Sequence, residues 1–265
     1  MLTKLLKYEF KATARYFVPA IVALLAISVV NRICFALSND PTMNVTTPTV
    51  ISMMLYVAIL IAVGVLALII TIKRFHSSLL TDEGYLMMTL PVSVDTHIIS
   101  KIITSGVWLI ASTLAAVISI LIMVMEKGMF NDFFVSFSKF EQELFAAMGG
   151  HVWVFVVLFI IIGIANLICS LTSIYMCIAI GHQLPKHQLL AGVGAYLAYS
   201  TVLQVILALM MYASGSTGIA DWFFNLEGLP AMYAMTALLL VITLALLAFT
   251  YCMTRYLLKN HLNLE

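Results

Sequence analysis

Apolar residues in this chain run on for longer than a soluble fold can use. Stretches at residues 18–37, 50–72, 98–125, 151–180, 189–213 and 231–254 each match or exceed the about 20 residues that an α-helix needs to cross a hydrocarbon core. They predict an all-α, polytopic membrane protein with six transmembrane helices, a single transmembrane domain over residues 1–265. Four stretches outside the spans carry patterns of their own, at residues 2–16, 81–91, 129–145 and 219–229.

At about 100° per residue, Lys4, Lys7, Lys11 and Arg15 share one narrow face of a helix over 2–16, and Leu2, Leu5, Leu6, Phe10 and Phe17 take the opposite one. Such a helix is expected to lie on the membrane surface. Glu9 interrupts the apolar face, where a carboxylate needs a partner or headgroup water. Two readings stay open for it: it reaches headgroup water, or it pairs with a cation or backbone donors of the loop after the second span, tying this helix to the loop. Pro19 follows, with a fixed φ suited to an elbow before the first span. Arg32 near the end of that span is read as snorkelling to the interface.

Between the second and third spans, Thr81 can cap a short helix whose first turn holds Asp82 and Glu83, and Pro91 ends it. Tyr85, Leu86, Met87 and Met88 make that helix too apolar to stand alone in water. Ser93 or Asp95 can cap the helix that continues through His97 and Lys101 into the third span. On the other side of the membrane, Phe130, Phe133, Phe134, Phe137, Phe140 and Leu144 recur at helical spacing opposite Asn131, Asp132 and Lys139, which predicts an interfacial helix over 129–145. Residues 214–230 begin as a Ser and Gly loop and then give Trp222, Phe223 and Phe224, a pattern for a short interfacial or re-entrant turn.

Composition agrees with the pattern. Hydrophobic residues make up 63% and charged residues 9% of the chain, against about a quarter charged in a soluble domain; mean hydropathy is +1.10. With both termini inside, ten of the thirteen Lys and Arg fall on the cytoplasmic side and three outside, a positive-inside distribution. The net charge of +1 is uninformative on partners, and no basic, aromatic-rich patch points to nucleic acid. Cys34, Cys169, Cys177 and Cys252 all fall inside spans without ligand spacing, so disulfides and zinc are not expected. The long basic start and span-length first apolar run fit a retained segment better than a cleaved signal peptide.

The segment FHSSLLTDEGYLMMTLPVSVDTHIISK and the opening LLKYEFKATARYFVPA resemble the membrane subunits of bacterial ABC exporters of the type-2 permease class, in particular the short six-span permeases of Gram-positive bacteria. The layout matches over the whole chain; the similar sequence is confined to these two segments. The resemblance implies a coupling helix at 81–91 that docks in a groove of a separate ATPase subunit through Asp82, Glu83, Gly84, Tyr85, Leu86, Met88 and Pro91. It further implies two copies of that ATPase, which would hold ATP and Mg, a second permease subunit (homodimer or heterodimer), an N-terminal helix beside the coupling helix, and an outer lid near 219–229. The location it implies is the bacterial cell membrane, multi-pass, with both termini cytoplasmic.

Polar positions within the spans follow helical stripes. Ser105, Ser112 and Ser119 recur every seven residues, as do Thr236, Thr243 and Thr250. Gly163, Asn166, Ser170, Ser173 and Cys177 fall within about 80° of one another, and Gln204 follows Ser200 by one turn. Small and hydroxyl residues serve helix packing. Asn166, Ser170, Ser173, Gln204 and Thr243 are also the candidates for a pathway or subunit interface. The chain has no GxxxxGK[ST] phosphate loop, no H-E-x-x-H and no G-x-S-x-G, so it is expected to be no enzyme and to carry no cofactor. A scaffold or sensor that binds a cytoplasmic partner without moving cargo is the alternative. A secondary carrier is weaker, because no acid sits near the centre of a span.

Overall fold

The computed structural model describes residues 2–37, 47–79, 93–124, 129–183, 187–216 and 228–260. The described residues form seven helices: α1 Leu2–Leu37, α2 Thr47–Leu79, α3 Val94–Val124, α4 Met129–Met148, α5 His151–Gly181, α6 Gln188–Ser216 and α7 Leu229–Asn260. All but α4 are long and apolar enough to cross a membrane, so the chain is a polytopic helical membrane protein. The helices cluster into two compact units, Met1–Arg74 with Thr96–Phe140 and Phe75–Asp95 with Glu141–Glu265.

Two boundaries differ from the sequence reading. The interfacial segment 2–16 and the first span form one continuous helix, with Pro19 inside it. Proline removes one N–H and crowds the carbonyl four residues back, a local defect that α1 carries because Phe17 and Leu24 on either side are buried against neighbours. At 1.5 Å per residue a helix of 36 residues is about 54 Å long, well beyond a hydrocarbon core of about 30 Å. The second difference is that α6 continues to Ser216, through the Ser and Gly positions expected to open a loop. α3 starts at Val94, between the two expected caps Ser93 and Asp95, and runs through His97 and Lys101 into the span as the sequence suggests. Residues 217–227, with the expected outer turn, lie outside the described residues.

In the first unit, contacts pair early α1 with early α3 and with late α2, so α1 and α3 run parallel and α2 runs against both. One end is closed by Asn31, whose amide donates to the carbonyls of Ile27 and Ser52 at 3.1 Å each. The middle is apolar, with Leu24, Tyr56 and Val63 buried against Ala20, Ile27, Ile59, Leu60, Ala116 and Met123. Ser119 of the expected serine stripe donates to the Ala116 carbonyl and meets the Tyr56 hydroxyl at 2.8 Å. That hydroxyl is a packing contact.

In the second unit α5 is the central helix. Phe155 meets Tyr233 and Thr172 meets Thr250 at the same offset of 78 residues, so α5 and α7 run parallel over about 25 Å. Thr250 of the threonine stripe bonds Thr172 at 2.8 Å, and Thr254 donates to the Thr250 and Thr172 carbonyls. The end of α2 belongs here too, with Phe75 stacked on Tyr175 at 4.1 Å. α5 and α6 cross at glycine. A Cβ on Gly181 would stand 2.5 Å from the Gly192 nitrogen, closer than any side chain allows.

Gly181→Ala is therefore expected to destabilise the chain by about 1–3 kcal/mol through that overpacking. Gly163→Ala, where a Cβ meets nothing within 4 Å, is expected to be neutral or slightly stabilising through helix propensity. Thermal unfolding of the purified variants in one detergent checks both.

Candidate functional site: a buried charge cluster in the first unit

The parallel run of α1 and α3 brings Glu9 to Lys101, and the antiparallel α2 ends beside them at Arg74. Glu9 is 5% exposed and Lys101 3% exposed. Lys101 Nζ donates to Glu9 Oε1, and Arg74 Nη2 stands 3.4 Å from Glu9 Oε2. One acid on α1 thus holds a cation from α2 and another from α3. Of the two readings open for Glu9, the cation pair is the one present, and its apolar face packs on α3.

The turn after Glu9 strengthens the joint. Thr13 donates to the Glu9 carbonyl at 2.8 Å and accepts the Trp108 indole N–H at 2.7 Å. The Trp108 ring stacks on Phe17 at 4.9 Å and lies 6.4 Å from Phe10. Around the cluster α3 contributes further buried polar residues at helical spacing, His97, Ser100 and Thr104. Ser100 donates to the His97 carbonyl and Thr104 to the Ser100 carbonyl, at 2.8 and 2.9 Å. Such density of polar groups is costly in an apolar bundle unless each finds a partner.

The basic face of α1 remains outside the cluster. Lys4, Lys7, Lys11 and Arg15 are all exposed, as the periodicity of 2–16 predicts. In the second unit a looser ion pair forms at Asp95, which accepts from the Tyr251 hydroxyl at 2.9 Å and stands 3.1 Å from Arg255. Asp95, a candidate cap in the sequence, is thereby turned to α7.

The other candidates fare differently. Asp82, Glu83, Gly84, Tyr85, Leu86, Met88 and Pro91 lie outside the described residues. Ser173 is buried and donates to the Ser170 carbonyl; Ser170 and Thr243 bond carbonyls of their own helices. Asn166 and Gln204 are exposed on α5 and α6, and neither side chain has a hydrogen bond among the described residues. Among the described residues no group of three or more His, Cys, Asp and Glu could hold a metal ion.

Sequence reasoning did not name Lys101 and Arg74 as the cations on Glu9, nor the Thr13–Trp108 bond beside them. A signal was present: Lys101 stands inside the run from Val94 that becomes α3, and a cation there calls for an acid. Periodicity names a face, however, and not the helix that covers it.

Trp108→Phe keeps the ring stack and loses the indole bond to Thr13, which is expected to cost about 1 kcal/mol. Trp108→Ala is expected to cost about 3–5 kcal/mol, with a cavity between α1 and α3. Thermal or denaturant unfolding in detergent distinguishes the two. No protein-family model, no curated protein and no solved structure matches the chain, so its function rests on the geometry of its own residues.

Proposed function

We propose that the chain is the permease subunit of an ATP-driven exporter, driven by a separate ATPase that grips the segment 81–91. The observation that carries this reading is the Glu9 cluster. Arg74 and Lys101 stand on either side of that segment in the chain, and both are tied to α1 through one carboxylate. A push on the segment would be passed to α1, α2 and α3 together. The resemblance of residues 75–101 to type-2 exporter permeases supports the same assignment. The apolar residues Tyr85 to Met88 supply a surface for a partner groove, and Asp82 and Glu83 supply its charge.

In this reading the chain binds no nucleotide itself; two ATPase subunits carry ATP and Mg. The permease pairs with itself or with a homologue in the bacterial cell membrane, both termini cytoplasmic. Asn166 on α5 and Gln204 on α6 are the residues offered to that second subunit or to cargo, since each is exposed within this chain and an amide in hydrocarbon needs a polar neighbour. ATP-driven closure of the ATPase pair would move the coupling segments and alternate the access of the paired permeases.

Purification of the tagged chain from its native membrane is expected to bring down an ATP-binding subunit in stoichiometric amount. Tyr85→Arg or Leu86→Arg is expected to weaken that association by at least about 30-fold, a hot-spot loss of about 2 kcal/mol, with thermal unfolding unchanged. Absence of any ATPase, or its undiminished retention by both variants, would overturn the reading.

A further inference from the structure

The ends of α2 and α5 carry a pair of histidines in the second unit that the exporter proposal does not use. Phe75 of α2 is buried and stacks on Tyr175 of α5, which fixes the end of α2 there. His76 is the next residue. His182 follows Tyr175 by seven positions, about two turns along the same face, and its backbone N–H donates to the Ile178 carbonyl at 3.0 Å, so it continues the course of α5. The two rings meet edge to face, their centroids 5.9 Å apart and their planes at 84°. The start of α6 is pinned at the same place. A Cβ on Gly181 would stand 2.8 Å from the Gln188 carbonyl oxygen, so α6 begins against the turn that carries His182.

Each ring holds a nitrogen shut off from solvent and without a hydrogen-bond partner among the described residues, Nε2 of His76 and Nδ1 of His182. Buried polar atoms are bonded as a rule, and two such atoms on touching rings call for one shared partner. Gln188 fixes which lone pair of His76 is free. Its side chain hydrogen-bonds that ring; with Nε2 unpartnered, the bond falls on Nδ1, whose N–H donates to the amide oxygen. The neutral ring then presents its lone pair on Nε2. An outer hydrogen bond of this kind sets the tautomer and orientation of metal-binding imidazoles.

We infer that His76 and His182 form a binding site for a divalent transition-metal ion of the zinc type, bridging α2 and α5. Imidazoles bound to one ion at about 2.0–2.1 Å hold their ring centres about 5–6 Å apart, which is the separation of this pair. Neutral nitrogen donors select zinc, copper or nickel over magnesium and calcium, which take oxygen. No third His, Cys, Asp or Glu joins the pair among the described residues, so water completes the ion's coordination. The ion clasps α2 to α5 near the C-terminal end of each, and the site stands whether or not an ATPase grips the segment 81–91.

The test titrates the full chain, purified in detergent with a tag free of histidine, with Zn2+ by calorimetry. One ion per chain is expected to bind. His76→Ala and His182→Ala are each expected to weaken binding by more than about 10-fold, at least the loss that follows removal of an outer hydrogen bond. His187→Ala, at an exposed histidine at the start of α6, is expected to leave binding unchanged. Where an alanine variant does not fold, the unmodified chain decides: Cu2+ at one equivalent is expected to give an electron paramagnetic resonance spectrum with two imidazole nitrogens. No saturable Zn2+ binding by the unmodified chain below about 1 mM overturns the inference. So do Cu2+ held by fewer than two nitrogens, undiminished Zn2+ binding in either folded alanine variant, and an equal loss with His187→Ala.

Discussion

An ionised carboxylate taken out of water must be met by a cation, and that requirement organises the first unit of this protein. Glu9 lies in a helix that otherwise offers leucine and phenylalanine on the same face, so its burial is possible only where α2 and α3 bring Arg74 and Lys101. The cost of desolvating such groups runs to several kcal/mol each and is offset only by close, well-bonded pairing. Thr13, Trp108 and Phe17 supply the surrounding order that keeps the pairing close. The register of α1 against α3 follows: the ion pair and the indole bond lie about two turns apart along α3 and permit one alignment. Without the acid, α1 would be held only by apolar contacts, which tolerate sliding.

The second unit solves the same problem with neutral groups. Thr172, Thr250 and Thr254 satisfy their hydroxyls largely on their own helices and touch across α5 and α7. Gly181 and Gly192 let α5 and α6 approach to backbone contact. In contrast, none of the described α6 side chains is buried within the chain. A helix so exposed, of membrane length and apolar composition, leaves most of its surface open to lipid.

Much of the fold was legible in the sequence because hydropathy acts over whole spans. Runs such as 50–72 and 151–180 leave no alternative to membrane helices, and the amphipathic patterns of 2–16 and 129–145 appear as helices in α1 and α4. Legibility failed where a local signal competed with packing across helices. Pro19 suggests a break from backbone chemistry alone, yet the helix continues through it, with Phe17 and Leu24 buried on either side. Asp95 reads, with Ser93, as one of two possible caps; its carboxylate is taken by Tyr251 and Arg255, 156 and 160 residues away, which no local pattern announces. The serine and threonine stripes were read correctly as packing at Ser119 and Thr250. Asn166 and Gln204 have no hydrogen bond among the described residues, and what an exposed amide meets is not encoded in its own helix.

The account depends most on the bond between Glu9 and Lys101, and a double-mutant cycle measures it directly. Glu9→Met, Lys101→Met and the double variant are compared by unfolding in one detergent, with a second cycle between Glu9 and Arg74, which is the more exposed cation. The Glu9–Lys101 coupling is expected to reach about 2 kcal/mol or more, each single change leaving a buried charge behind, and the Glu9–Arg74 coupling to stay below about 1 kcal/mol. Coupling below about 0.5 kcal/mol in the first cycle would mean that Glu9 does not hold α1 to α3, and would contradict the account.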